Sequence, residues 1–210
     1  MGVITDQKEE EILTFQGETV LFLEITLPRW EGNKKREKRL QRYYCKFSQI
    51  WKNIWCSELY FLACLNFLEK RDKGLFFTPW RCVIESSWEE GILTDNYLSV
   101  GVTVKEKRGK SLWEIYFFSD LWDISEGSPI SLNQFVPQVF GKNILTEIFK
   151  QGEEREDFFF FSKDLQEIRK HFSFKNIFFT QEGGEFFFPQ GSIAPKVEGI
   201  PRFFLPYEQK

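Results

Sequence analysis

Few of the 210 side chains combine a reactive type with a spacing that chemistry could use. The single histidine, His171, follows Arg169 and Lys170 at the end of a short helical stretch, where a cation suits the helix dipole. A general base needs a positioned partner, and nothing near it in sequence supplies one. Asp95, Asp120 and Asp123 are carboxylates that could converge for acid–base or metal work. Asp120 and Asp123, however, flank Leu121-Trp122 at a strand exit, where aspartates ordinarily close turns. Ser99 lacks the Gly-x-Ser-x-Gly frame of a nucleophile elbow, and no glycine-rich phosphate loop occurs. Cys45, Cys56, Cys64 and Cys82 form no Cys-x-x-Cys pair, so neither a zinc site nor a dithiol motif fits. The expectation is a protein that is not an enzyme, with no catalytic residue, no metal and no cofactor.

Binding chemistry is better represented. Lys34, Lys35, Arg36, Lys38, Arg39 and Arg42, followed by Lys46, face a single acid, Glu37. Such a run is either a solvated helix face or a surface for an anionic partner. Nucleic acid ranks below a protein partner, because the aromatic–basic interleaving of RNA modules is missing. Trp88, Trp113 and Trp122 could stack on sugar rings if exposed, against the default that large aromatics are core. The candidate binding residues are therefore the six basic residues, Trp113, Trp122, Asp120 and Asp123.

The elements that must position these residues follow from periodicity. Leu21, Leu23, Ile25 and Leu27 alternate with Phe22, Glu24 and Thr26, which predicts a strand over Leu13–Leu27 ended by Pro28. Asn33 caps a long helix to about Lys70, closed by Gly74. At a constant 100° per residue, Leu40, Tyr43, Tyr44, Phe47, Ile50, Trp51, Ile54, Trp55, Phe61, Leu62, Leu65 and Leu68 fill a stripe about 140° wide. Leu59, Tyr60 and Phe67 lie off it, so the later turns are expected to be the more deeply buried, with a kink near Ser57. Strand texture then runs from Trp80 to Phe118, with a polar turn at Lys107-Arg108-Gly109-Lys110 and a second turn at Gly127-Ser128-Pro129. Short helices are predicted over Leu132–Val136, around Ile144–Phe149 and over Leu165–His171. An acidic loop spans Gly152–Asp157, and a hairpin turning at Gly183-Gly184 and a final strand close the chain.

Composition sets the frame for these elements. Hydrophobic residues make up 42% and charged residues 28%, the balance of a globular chain, and 25 Phe and 7 Trp promise an aromatic core. One domain over residues 1–210 is expected, with the strand and long helix in 1–75 and the sheet, short helices and hairpin in 76–210. The net charge of −3 gives no general push towards nucleic acid or an anionic membrane. Asp6, Lys8, Glu9, Glu10 and Glu11 do not make a secretion signal, and no apolar run approaches the ~20 residues of a membrane span. The expectation is a cytoplasmic chain with free thiols and no membrane partner.

Several short motifs, in order, resemble the RsiV-like family, the C-terminal domains of RsiV-type anti-sigma factors and of some peptidoglycan deacetylases. Asp95-Asn96-Tyr97-Leu98-Ser99-Val100 resembles its strand with a Leu-Ser pair. Asp120-Leu121-Trp122-Asp123 with Gly127-Ser128-Pro129-Ile130-Ser131-Leu132 resembles its Asp, Trp-Asp, Gly, Pro, Leu stretch, and Phe188-Pro189 through Ala194-Pro195 to Gly199 its final signature. The resemblance implies an α+β fold, a mixed or mostly antiparallel sheet covered by one long amphipathic helix and several short ones. It also implies a non-catalytic role, with lysozyme or peptidoglycan as partner. The expected partner is an unknown protein first, the lysozyme or peptidoglycan that the resemblance implies second, and nucleic acid third.

Overall fold

The computed structural model describes residues 4–32, 34–93, 96–141, 143–155, 158–162 and 164–208. The fold is α+β, with a six-stranded sheet in the order β1 to β6 and a three-stranded one. The chain divides into two compact units, Met1–Ser86 with Val102–Ile115, and Ser87–Gly101 with Tyr116–Lys210.

The first unit opens with a long hairpin. Strand β1, Ile4–Phe15, pairs antiparallel with β2, Glu18–Trp30, and Gln16-Gly17 turn between them at φ 53° and 84°. Both positive values suit the tight hairpin turn that follows the twist of the strands. The sequence reading is corrected here, because the polar run Asp6–Glu11 is part of a strand. It lacks the alternation of a half-buried strand because β1 is the sheet's edge, where charge discourages pairing with a further chain. Glu9 and Glu11, two residues apart and so on one face, hold the Lys52 ammonium at 2.5 and 2.7 Å. Pro28 does not end β2 but lies inside it. The pairing with the next strand runs only from Leu21 to Ile25, so Pro28 lies beyond that ladder, where a missing N–H is tolerated.

Strand β3, Trp80–Glu90, runs parallel to β2, which requires a crossover between them. The long helix is that crossover. Helix α1, Lys35–Ile54, continues through a π-helical turn, Trp55–Leu59, into α2, Tyr60–Asp72. The Asn33 cap and Asp95 lie outside the described residues. The buried face consists of Leu40, Tyr44, Trp55, Leu59, Ala63 and Cys64. A π-turn carries about one residue more than an α-turn, so it shifts the facing of everything after it by roughly 100°. Phe61, Leu62 and Leu65 consequently leave the stripe on which a constant count places them, and all three are exposed. The expectation of deeper burial in the later turns is thus overturned. Gly74, at φ 63°, ends the helix as predicted, with the Leu75 N–H returning to the Lys70 carbonyl at 2.8 Å. Strands β4, Tyr97–Lys107, and β5, Glu114–Asp123, follow in the region of strand texture, with β5 running five residues past the expected end at Phe118.

The second unit adds the short β6, Ser128–Pro129, then helices α3, Leu132–Phe140, α4, Ile144–Glu154, and α5, Leu165–Arg169. Gly152–Glu154 form the last turn of α4 and not a loop, while Glu156 and Asp157 lie outside the described residues. Strands β7, Ile177–Phe179, β8, Gly183–Phe187, and β9, Arg202–Pro206, form the antiparallel three-stranded sheet. Its phenylalanines alternate: Phe179, Phe186, Phe188 and Phe203 join one core with Val136, Phe140, Ile148 and Ile168, whereas Phe178 and Phe187 meet Phe117 on the other side. Gly183 and Gly184 are strand residues and not the turn. A Cβ at Gly183 would lie 2.1 Å from the Leu205 carbonyl oxygen, and one at Gly184 2.6 Å from Ile177 Cδ1. Close approach of β9 and the core, not turning, is the reason for glycine.

Candidate interaction surface

The carboxylates and the serine singled out by sequence have structural partners. Asp123 accepts from the Ser125 amide at 2.8 Å, the Ser125 hydroxyl at 2.5 Å and the Glu126 amide at 3.3 Å, closing the turn after β5. Hydrogen bonding by Ser125 holds its carboxyl below the ordinary aspartate value, although burial opposes this. Asp120, half-buried, is three residues away on β5, an odd separation that points the two side chains to opposite faces. The Ser99 hydroxyl is buried and accepts the Phe179 N–H at 3.0 Å, while the Ser119 hydroxyl donates to the Ile177 carbonyl at 2.6 Å. The two serines anchor β7. His171 is exposed, its N–H closing the end of α5 on the Ile168 carbonyl at 3.1 Å.

The aromatic candidates separate. Trp122 is 2% exposed, so stacking on an external ring is excluded for it. Trp113 and Trp88 are half-buried, and the Lys107 ammonium stands 5.6 Å over the Trp113 ring. All four cysteines are unpaired. Cys64 and Cys82 are buried, Cys45 is exposed, and burial pushes the Cys56 and Cys82 thiols up, away from reactivity. Among the described residues no group of three or more His, Cys, Asp and Glu could hold a metal, and no helix is long and apolar enough to cross a membrane.

The basic candidates do form a surface. Lys34, Lys35, Lys38, Arg39 and Arg42 are exposed at the start of α1, with Lys46 one turn further, and Arg36 is half-buried. Within this cluster Glu37 is buried, its Oε2 accepting the Lys34 amide at 3.0 Å in the first helical turn. A negative charge there favours the helix N-terminus. Gly32 leaves the carboxylate its space, since a Cβ would lie 1.8 Å from Oε2. The Trp30 amide donates to Gln41 Oε1 at 3.1 Å, and the Trp30 ring stacks on Tyr44 at 5.7 Å, fixing where the helix leaves the strand.

Sequence reasoning missed what continues this surface. Ile50 (52% exposed), Ile54, Phe61 (58%), Leu62 and Leu65 (47%) stand on the outside of the same continuous helix. Five large apolar side chains on one helix exceed the scatter expected of single exposed residues. The deviation of Leu59 and Phe67 from the stripe was the available signal. A separate groove of about 410 Å³, lined by Glu18, Phe67, Arg71, Leu75, Phe76 and Pro79, lies where α2 ends.

No curated protein matches the chain. A DUF3298 family protein of Bacteroides fragilis has a similar structure, with a TM-score of 0.65 at 12% identity over 97% of this chain and 90% of that one. Another, from Pseudomonas aeruginosa, gives 0.60 at 11% identity over 98% and 91%. Likeness at such identity concerns fold. Residues 132–208, from α3 through β9, match the family model described as a protein of unknown function, DUF3298, and the likeness over nearly the whole chain is one of fold.

Proposed function

We propose that this chain is a non-catalytic interaction module that binds a protein partner through the outer face of its long helix. The observation carrying this reading is the run of exposed Ile50, Ile54, Phe61, Leu62 and Leu65, continuous with the basic turns of α1. Of the residues that could have served chemistry, Asp123 closes a turn and Ser99 anchors a strand. Quantitative affinity capture tests the reading, with the wild type set against a Phe61→Ser, Leu65→Ser variant of unchanged circular dichroism. Partners enriched by the wild type and lost by the variant support it; identical capture by both sinks it.

A second reading follows from the RsiV-like resemblance, whose tail motifs fall within the matched residues 132–208. It makes the chain a lysozyme- or peptidoglycan-binding module of the envelope, with the half-buried Trp113 and Trp88 as the aromatics to contact a ligand. Fractionation of the full-length protein in its host separates the readings. A cytosolic protein accords with the first, an envelope protein with the second.

A further inference from the structure

The outer face of the long helix carries its polarity in blocks. Lys35, Lys38, Arg39, Arg42 and Lys46 occupy the first part, Ile50, Ile54, Phe61, Leu62 and Leu65 the middle, and Glu69 and Asp72 the end, all exposed. Glu58, also exposed, is the one acid within the apolar block. We infer that this face pairs with the same face of a second copy of the chain, antiparallel, about a two-fold axis passing between Ser57 and Glu58. The inference rests on the reading of the helix as a docking surface and names its partner.

Charge complementarity selects this occupant. In the antiparallel arrangement Ile54 lies opposite Phe61, Ile50 opposite Leu65 and Lys46 opposite Glu69, while Arg42 falls between Asp72 and Lys73, the latter already paired with Glu69. Each contact occurs twice, as an isologous interface requires. A parallel pairing would set the basic block on itself, and like charges in contact select against that partner. An anionic lipid surface would attract Arg42 and Lys46 but repel Glu58, Glu69 and Asp72 on the same side. Nucleic acid would find phosphate partners only along the first turns.

The intramolecular pairs of the acidic block do not compete strongly. Glu69 holds Lys73 at 2.6 Å and Asp72 holds Arg71 at 3.6 Å, both open to solvent. Exposed pairs of this kind contribute little and are readily exchanged. The π-turn is what makes the face usable. It places the axis at Ser57 and Glu58 and turns Phe61 and Leu65 outward to meet Ile54 and Ile50.

Sedimentation equilibrium of the full chain, from about 1 to about 300 µM, tests the inference. A monomer–dimer equilibrium is expected. Ile50→Glu abolishes it, and Lys46→Glu or Glu69→Lys alone each weakens it by about tenfold or more. The double swap Lys46→Glu, Glu69→Lys restores it to near the wild-type constant. A chain that stays monomeric overturns the inference, as does a dimer indifferent to Ile50→Glu or a swap that fails to rescue. A monomer whose face binds phosphatidylglycerol vesicles would assign the face to lipid and also overturn it. The docking reading itself fails only if the Phe61→Ser, Leu65→Ser variant leaves partner capture unchanged, so the two failures are distinguishable.

Discussion

The indole Nε1 of Trp55 donates to Glu106 Oε1 at 2.8 Å, with Trp55 wholly buried and Glu106 nearly so. A carboxylate this deep is tolerable only with a partner, since an uncompensated buried charge costs several kcal/mol. The pair joins the first residue of the π-turn to β4 and fixes the helix where its regular winding is interrupted. Trp55→Phe keeps the ring volume approximately but removes the donor, and should destabilise the fold by about 2–4 kcal/mol in urea unfolding. Trp55→Phe combined with Glu106→Leu should recover at least half of that loss, because the orphaned carboxylate goes with it. Equal losses in the single and double variants would show that packing, not the hydrogen bond, dominates.

Gly183 offers a sharper steric test. Its missing Cβ is what allows the Leu205 carbonyl to pair across the β8–β9 ladder, and the conflicting atom is backbone, which cannot swing away. Gly183→Ala is expected to cost about 3 kcal/mol or more, comparable to severe overpacking, and to lower the melting temperature by at least about 6 °C. At Gly17, where nothing lies within 4 Å of a built Cβ, the same substitution meets only the positive φ. Its cost should stay near 1 kcal/mol. Similar losses at the two sites would contradict the strand assignment of Gly183.

Acid dependence follows from Asp123. Its carboxyl titrates below the ordinary aspartate value in the folded protein, because Ser125 and the Glu126 amide bond the charged form. A depressed folded value means stabilisation that is fully present above the unfolded value near 4 and is lost as pH falls through the folded one. Asp123→Asn should therefore be less stable than wild type by about 1 kcal/mol at pH 7. The difference should shrink on acidification below pH 4, and urea midpoints at pH 7, 4 and 3 measure it. A difference that stays constant across this range would remove the charge from the explanation.

Most of the fold was legible because its signals are local. Alternation of Leu21, Leu23, Ile25 and Leu27 marked β2, and Gly74 marked the helix end at the positive φ it adopts. Two features escaped for a physical reason. Strand β1 is an edge, so burial imposes no apolar period on Asp6–Glu11 and nothing distinguishes it from a polar leader. The π-turn changes helical phase without a composition of its own, so Phe61, Leu62 and Leu65 beyond it were given the wrong facing, while Ile50 and Ile54, before it, lay on the stripe and are exposed all the same. The candidate site suffered most. The basic turns precede the π-turn and are exposed, as a charged helix face should be, whereas Phe61, Leu62 and Leu65 follow it and were assigned to the core. Trp122 misled differently, since an aromatic beside a turn looks the same in sequence whether its ring faces in or out.

The π-turn also makes an unusual prediction about chain length. If it holds one residue beyond the α-helical count, then removing one residue there should convert it to α-helix while leaving both flanking faces in phase. Ser57 is the residue to delete, being exposed, with a hydroxyl bonded only to helical carbonyls at Asn53 and Ile54. After deletion, Leu59, Ala63 and Cys64 would still face the strands, and Phe61, Leu62 and Leu65 would still face outward. The variant is expected to fold with unchanged helix content and to lose no more than about 1 kcal/mol, with a gain possible from the regularised hydrogen bonds. Insertion of one alanine after Ser57 is the opposite case. It rotates α2 by a further ~100° and drives Leu59 and Ala63 out of the core, a loss of about 3 kcal/mol or more on the scale of large core deletions. Chemical denaturation of the deletion and insertion variants side by side decides the matter. Equal damage from both would mean that the turn is held by its own contacts and is not a phase insertion.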